Sequence, residues 1–297
     1  MNKPGRGPFG PRLLIGISML GPHLLIDIRN VIYRSIYAVK ADRRFDVKYH
    51  YFTILLRQLN RQINTYRPKS VHIFWDAPRD SVWRRKCLET YKDRSTSQYV
   101  EDISEDLKTT TEVAQAFFSV MGVRQYSCKC MEADDLIYAA TSILHPDPSI
   151  IMSSDSDMIQ IPFTYNSSTQ YDPGKKEEIK VPTINPVWQK ALIGDKSDCI
   201  DGYHGIGPKK SAILLGNRAD LQDFLKIKGA KLFYRNLLLI DLSLCPRLLK
   251  NKLYVQRRLA EPVVFCSKTI NDFIMQYKVN GLLQEYNDLI PPFQKLS

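Results

Sequence analysis

Three aspartates each follow a short run of apolar residues. Asp27 follows the run LLI, Asp76 follows VHIFW, and Asp155 comes shortly after IIM. Such runs are typical of buried strands. Parallel strands end at a common edge of their sheet, which is where open α/β proteins bind ligands. We therefore expect these three carboxylates to converge, although an aspartate at a strand end is more often a turn former.

Six further acids extend this set: Glu132, Asp134, Asp135, Asp157, Asp195 and Asp198. Singly, each could cap a helix or complement a helix dipole. Nine carboxylates in one cleft would repel one another, and divalent cations relieve that repulsion. Ligand sets made only of oxygen suit Mg²⁺, with Mn²⁺ as a possible substitute. The sequence thus predicts phosphodiester hydrolysis assisted by two ions about 4 Å apart.

The elements that must position these acids alternate between strand and helix over residues 23–182. This alternation predicts an α/β fold with a mainly parallel central sheet flanked by helices. A hairpin is expected around Pro173-Gly174. After Pro182 the pattern predicts helices only, and we assign residues 183–297 to a helical DNA-binding portion. Residues 1–22 are expected to form a flexible arm.

A glycine-rich turn lies between two predicted helices, and the second of these begins at Pro208. Its spacing is typical of a helix–hairpin–helix, spanning about 186–215, which binds the backbone of a duplex. The residues expected to bind nucleic acid there are Gly202, Gly205, Gly207, Lys209 and Lys210. The alternative is a plain glycine-rich connector, and the neighbouring pair Asp195 and Asp198 favours DNA binding.

A polar stretch from Arg79 to Asp106 mixes basic and aromatic side chains, among them Arg84, Lys92 and Arg94. Trp83 and Tyr91 are interleaved with them. Cations and aromatic rings together suit a single strand, whose phosphates and bases they can contact. The alternative is an ordinary solvated loop and helix.

Composition narrows the class of protein. The 297 residues carry a formal net charge of +11, which favours a polyanionic partner but also fits a merely basic enzyme. There is no run of eighteen apolar residues, so we expect no membrane association. The six cysteines are scattered, which argues against a zinc site and favours reduced thiols in the cytoplasm. We expect a monomer.

Several stretches together resemble the 5′-nuclease family, which comprises bacteriophage flap endonucleases and the 5′-nuclease domains of bacterial family A DNA polymerases. They are LLIDIRNVIYR, VHIFWDAPRDSVWR, ETYKDR, MEADDLIYAA, IIMSSDSDMIQI and QKALIGDKSDCIDGYHGIGPKKSAILL. The resemblance covers roughly residues 23–215. It implies a PIN-like nuclease fold, and it assigns all nine acids above to two metal sites, with Asp155 near both.

The resemblance also implies roles for basic residues. Lys92 matches a lysine that points at the scissile phosphate from a helical arch, built here from about 79 to 106. Arg84 and Lys190 match positions that contact DNA. The glycine turn matches a helix–three-turn–helix, at which a K⁺ ion is expected. A phage-encoded enzyme would act in the cytoplasm of its host.

Two residues depart from the family pattern. The family usually has glycine after the first aspartate, and Ile28 stands there, where a side chain would narrow the approach to the metal. The arch arginine normally lies further from the lysine than Arg94 lies from Lys92. Residues 1–22 match no part of the family, and the likeness beyond about Leu215 is thin.

The function that these features predict is a structure-specific, metal-dependent 5′-nuclease, combining flap endonuclease and 5′–3′ exonuclease activities. It would cut DNA at junctions between single and double strands during replication. One alternative is a phage RNase H-like enzyme that removes RNA primers from RNA-primed DNA. Another is an inactive junction-binding protein, but a binder of polyanions gains nothing from clustered acids.

Overall fold

The computed structural model describes residues 21–40, 50–93, 103–262, 267–277 and 290–294 of the chain. Among these residues, no helix is long and apolar enough to cross a membrane.

The centre of the molecule is a six-stranded sheet with the order β3-β2-β1-β4-β5-β6. Every neighbouring pair is parallel except β5 and β6. The predicted mainly parallel sheet and the hairpin at Pro173-Gly174 are therefore confirmed. The strands are β1 His23–Asp27, β2 Ser70–Phe74, β3 Arg124–Tyr126, β4 Ser149–Met152, β5 Ser168–Asp172 and β6 Glu177–Ile179.

Helices cover both faces of this sheet. Because strand side chains alternate between faces, Leu24 and Ile26 enter one buried apolar cluster while Leu25 enters another. The helices are α1 Ile28–Lys40, α2 His50–Tyr66, α3 Trp83–Cys87, α4 Ser104–Val120, α5 Ala133–Leu144, α6 Gln160–Thr164, α7 Pro186–Ile193, α8 Pro208–Gly216, α9 Arg218–Lys228, α10 Lys231–Ile240, α11 Leu248–Ala260, α12 Ser267–Tyr277 and α13 Pro291–Gln294. The first cluster includes residues of α1, α2, α4, α12 and α13, and the second includes residues of α5 and α11.

A third apolar cluster joins α7, α9 and α10. The prediction of helices only after Pro182 is wrong in one place, since two short strands pair there, β7 Gly194–Asp195 and β8 Ile200–Asp201. Gly194, at φ 83°, and Cys199, at φ 57°, both adopt left-handed backbone conformations. These conformations let the chain leave α7 and fold back within a few residues.

The starts of the helices follow local chemistry. Asn185 accepts hydrogen bonds from the N–H groups of Val187 and Trp188, and Pro186 fills the first turn of α7. Pro208 likewise occupies the first turn of α8. Both helix starts were predicted, because proline has no N–H to leave unsatisfied there.

Candidate active site

The carboxyl edge of the sheet holds the first group of acids. Asp27 is the last residue of β1 and is 8% exposed. The Ser153 hydroxyl donates to its Oδ2 at 2.9 Å, and the Asn30 N–H donates to its Oδ1 at 3.3 Å. Burial, together with the nearby charges of Asp76 and Asp155, raises the pKa of Asp27 to about 7. The three strand-end acids therefore meet, as their spacing predicts.

Asp76 links the end of β2 to the start of α5. Its Oδ1 accepts a hydrogen bond from the Ala133 N–H at 2.8 Å, and its Oδ2 lies 3.8 Å from Arg29. Burial raises the pKa of Asp76 above its usual value, and the charge of Glu132 adds to the rise while Arg29 opposes it. The N-terminus of α5 is thereby fixed against the sheet edge.

A buried arginine organises the acidic start of α5. Arg84 Nη1 donates to Glu132 Oε2 at 2.7 Å. Its Nη2 donates to Asp135 Oδ1 at 2.9 Å, and its Nε donates to the Leu239 carbonyl at 2.8 Å. Only 2% of Arg84 is exposed. The predicted contact between Arg84 and DNA is therefore wrong, because this guanidinium is enclosed by protein.

The prediction that Asp135 is a metal ligand is also wrong. It is fully buried, and besides Arg84 its carboxylate accepts hydrogen bonds from the Trp83 indole at 3.0 Å and the Glu132 N–H at 3.2 Å. Since these donors surround both of its oxygens, Asp135 is a partner of Arg84 rather than a metal ligand. Asp134 is less enclosed than Asp135, and its Oδ1 lies 3.7 Å from Arg84. Burial raises the pKa of Asp134 well above its usual range.

Lys92 places a positive charge among these acids. Its Nζ donates to Glu132 Oε1 at 2.6 Å and lies 3.9 Å from Asp198 Oδ2. Burial alone would lower the pKa of Lys92, but Glu132, Asp198 and Asp134 raise it above its usual value. The backbone of Lys92 has φ 53°, and its N–H donates to the Asp198 carbonyl at 3.0 Å. A left-handed conformation is costly for a residue with a Cβ, so this contact holds Lys92 against local strain.

The predicted contact of aromatic rings with a single strand is wrong for Trp83 and Tyr91. Trp83 is 7% exposed and Tyr91 is 3% exposed. The Tyr91 hydroxyl lies 3.1 Å from Glu132 Oε2 and 3.2 Å from Asp198 Oδ2. Both rings therefore brace the acidic residues and do not present a stacking surface. Arg94 lies outside the described residues, as does the middle of the predicted arch.

A second acidic group lies beside the first. Carboxylate oxygens of Asp157, Asp195 and Asp198 all lie within 4.8 Å of one another. Lys190 forms ion pairs with Asp157 and, at 2.5 Å, with Asp195. Burial raises the pKa of Asp157 to about 6, with Lys190 opposing and Asp155 adding to the rise. Lys190 thus lies within the acidic group, and its predicted contact with DNA stays a prediction.

The donor chemistry of this edge fits hard divalent cations. The acids range from exposed, as for Asp155, to buried, as for Asp27, and their oxygen atoms are the ligands that Mg²⁺ and Mn²⁺ prefer. Burial is the largest cause of the raised pKa values of Asp27 and Asp157, and neighbouring acids add to both. A bound cation would favour the ionised form of both.

Ile28 does not narrow the approach to these acids. Its side chain is fully buried in the first apolar cluster. Asp27 ends β1 and Ile28 begins α1, so consecutive side chains point to different surroundings. The expected obstruction is therefore wrong.

The glycines of the turn from Gly202 to Gly207 lie in two different environments. A Cβ on Gly202 would lie 1.9 Å from the Ile193 carbonyl oxygen, so glycine is required there for packing against the end of α7. Gly205, at φ 74°, and Gly207 have open space around the position of a Cβ. Lys209 and Lys210 are exposed at the start of α8. The role of this turn in binding a phosphate remains a prediction.

Sequence reasoning did not single out Ser153 or assign Tyr91 to the acidic cluster. Ser153 follows β4, and its hydroxyl reaches Asp27, which is 126 residues earlier in the chain. Tyr91 reaches Asp198, which is 107 residues later. The only signal in the sequence was their position next to residues that were singled out.

Comparison with known proteins places this chain in a family. Residues 22–190 match the model of the 5′-3′ exonuclease, N-terminal resolvase-like domain. A 5′-3′ exonuclease of Halalkalibacterium halodurans is 26% identical over 212 residues, which are 65% of this chain and 68% of the relative. Flap endonuclease Xni of Pectobacterium atrosepticum is 27% identical over 210 residues, which are 67% of this chain and 75% of the relative. The chain spans only 23% of the length of a third relative, the DNA polymerase I of Synechocystis sp..

A solved structure has a similar fold. The bacteriophage T5 D15 flap endonuclease, in a pseudo-enzyme-product complex with DNA and metal ions, aligns with a TM-score of 0.61 at 18% sequence identity. The alignment covers 86% of this chain and 99% of that one.

Proposed function

The chain belongs to the 5′-3′ exonuclease family, and we propose that it is a structure-specific 5′-nuclease acting on DNA. It hydrolyses phosphodiesters near junctions between single and double strands, as a flap endonuclease and 5′–3′ exonuclease. The observation that carries this proposal is the gathering of eight acids, four of them buried, at and beside the carboxyl edge of one mainly parallel sheet, with Lys92 among them.

Two groups of acids would hold two divalent ions, Mg²⁺ or Mn²⁺. Asp27, Asp76, Asp134 and Asp155 form the first group, with Glu132 beside them. The second group is Asp157, Asp195 and Asp198. When bound, such ions activate water and stabilise the charge that develops on the phosphate.

Lys92 adds a fixed positive charge at this site. Glu132 and Asp198 keep its ammonium group protonated and hold its side chain in place. A cation held in a partly buried site stabilises negative charge more strongly than it would in water. We assign Lys92 to stabilising the phosphate as its negative charge rises.

The duplex part of the substrate would bind at the start of α8. Gly205 and Gly207 leave the backbone accessible, and Lys209 and Lys210 add positive charge. Backbone carbonyls of the turn from Gly202 to Gly207 would hold a K⁺ ion, which would add positive charge for the duplex phosphates. These contacts do not read bases, so the geometry of the junction would select the cutting position. The enzyme would act as a monomer and would leave a 5′-phosphate and a 3′-hydroxyl.

A 5′-flap DNA labelled at either end tests this function. Incubation with Mg²⁺ should release the flap as a short product, and EDTA should prevent its release. Asp155→Asn should abolish cleavage while leaving junction binding in EDTA largely intact. Asp220→Asn, a change of an exposed acid on α9, serves as the matched control and should cleave normally. Full cleavage by Asp155→Asn would overturn the assignment of the metal site.

The same assay separates DNA from RNA-primed substrates. An RNA-primed flap that is cut at least as fast as the all-DNA flap would assign primer removal to the enzyme as well. Lys210→Ala should weaken binding to both substrates and flatten the dependence of affinity on salt, because one phosphate contact is lost. An unchanged salt slope would contradict the assignment of the turn to duplex binding.

A further inference from the structure

Lys190 lies inside the second acidic group. Its ammonium pairs with Asp157 and with Asp195, the latter at 2.5 Å. It also lies 3.4 Å from the Ser156 hydroxyl. Burial alone would lower the pKa of Lys190, but Asp157 and Asp195 raise it above its usual value, so the group carries a full positive charge.

The proposed second ion needs the same oxygens. Asp157, Asp195 and Asp198 are the residues whose carboxylates lie within 4.8 Å of one another. A divalent cation bound by Asp157 and Asp195 would stand next to the ammonium of Lys190, and two positive groups so close together repel each other. Lys190 and the second ion therefore compete for one position.

The fold gives Lys190 room to move away. A cavity of about 290 Å³ adjoins its side chain, lined by Ser156, Gln160, Gln189 and Ile240 among others. Lysine carries its charge on a flexible four-carbon stem, so the ammonium can turn into this space while the α7 backbone stays in place. The cavity is also lined by Asp157, so both polar groups and one carboxylate border this space.

We infer that Lys190 is an internal cation that occupies the position of the second ion until substrate arrives. The inference rests on the proposed function, because it takes the two acidic groups as metal sites. A DNA phosphate near the acids offers Lys190 a new anionic partner, and its departure frees Asp157 and Asp195. Binding of the second ion and binding of DNA are then mutually reinforcing.

Counting tightly bound Mn²⁺ tests this inference without any cleavage. Titrations followed by calorimetry and by electron paramagnetic resonance should give wild-type protein one tight ion and a second that binds at least about tenfold more weakly. Lys190→Met should tighten the second ion by about tenfold or more, because the competing charge is gone. Asp27→Asn removes a ligand of the first group, and should weaken the tight ion only.

Lys196→Met is the matched control. Lys196 lies between Asp195 and Asp198 in sequence but is exposed, so it contributes the same charge without filling the position. Its loss should change the second affinity by less than about threefold. If both substitutions change the affinity for the second ion equally, Lys190 acts only as any nearby positive charge would, and the inference is overturned.

Duplex DNA with a recessed 5′-phosphate, a product of the proposed reaction, is used in the second experiment. It should tighten the second ion in wild-type protein but not in Lys190→Met, where nothing remains to be displaced. Weaker Mn²⁺ binding by Lys190→Met would make Lys190 an organiser of the site and overturn the inference. If neither protein binds Mn²⁺, the proposed function itself fails. Two equally tight ions in wild type overturn only the inference about Lys190.

Discussion

Replacing Asp27 by Asn is expected to stabilise the metal-free protein at neutral pH, although it removes a proposed metal ligand. The unfolded chain ionises Asp27 near its usual pKa of 3.8, whereas burial and the nearby charges of Asp76 and Asp155 raise the folded pKa to about 7. The folded state therefore holds an extra proton between these values. Its stability is greatest below the unfolded pKa and is lost as pH rises through the folded pKa.

The size of this effect follows from the shift in pKa. About three pKa units at about 1.36 kcal/mol each give a penalty of about 4 kcal/mol for the ionised side chain. Relaxation of Asp76 and Asp155 reduces this, so Asp27→Asn should gain about 2–4 kcal/mol in free energy of unfolding at pH 8. At pH 4.5 most of the gain should be gone, because the wild-type carboxyl is then protonated in the folded state.

Urea unfolding followed by circular dichroism in metal-free buffer measures both values. Asp220→Asn should match wild type at both pH values, since Asp220 is exposed. Adding Mg²⁺ at pH 8 should reverse the order of stability, because only wild type keeps all the ligands of the first ion. If Asp27→Asn is less stable than wild type by the same amount at both pH values, the pKa of Asp27 is not raised in the folded protein and the reasoning is refuted.

Three further predictions concern other titratable side chains, Arg84, Lys92 and His72. Arg84→Met should lower the free energy of unfolding by about 3–5 kcal/mol, because it leaves buried carboxylates without their cation; a loss below about 1 kcal/mol in urea unfolding would contradict the buried ion pairs. Lys92→Met should slow single-turnover flap cleavage by about 10²–10³-fold, while its affinity for the flap DNA in Ca²⁺ changes by less than about threefold. A parallel loss of affinity would instead assign Lys92 to substrate binding. Burial lowers the pKa of His72 to about 3, whereas an unfolded histidine titrates near pH 6.5. The free energy of unfolding of wild type should therefore fall by about 1.4 kcal/mol per pH unit below 6.5, relative to that of His72→Asn. Stability curves of the two proteins that stay parallel from pH 7 to 4.5 would refute this.

Strand ends were the most informative feature of the sequence. Apolar runs of three to five residues predict strands because both faces of a parallel sheet are buried. Since parallel strands end at one edge, the convergence of Asp27, Asp76 and Asp155 followed from sequence order alone. The starts of α7 and α8 were equally local, because Asn185, Pro186 and Pro208 act on their own helix turns.

The partners of the charged side chains could not be obtained in this way. Arg84 has the residue type and the neighbours of a DNA-binding arginine, yet it is buried against Asp135 and the Leu239 carbonyl. Those partners lie 51 and 155 residues away in sequence. Nothing in local spacing distinguishes an arginine that faces a phosphate from one that faces a carboxylate.

The sequence by itself therefore determined the alternation of strands and helices up to Pro182, the sheet edge and the acids that gather there, because strand burial and helix capping act over a few residues. Tertiary structure alone decided how those acids are divided. It buries Asp135 against Arg84, directs Ile28 into the core, and sets Lys190 between Asp157 and Asp195. These outcomes depend on packing between segments far apart in the chain, where burial and distance fix which charges can meet.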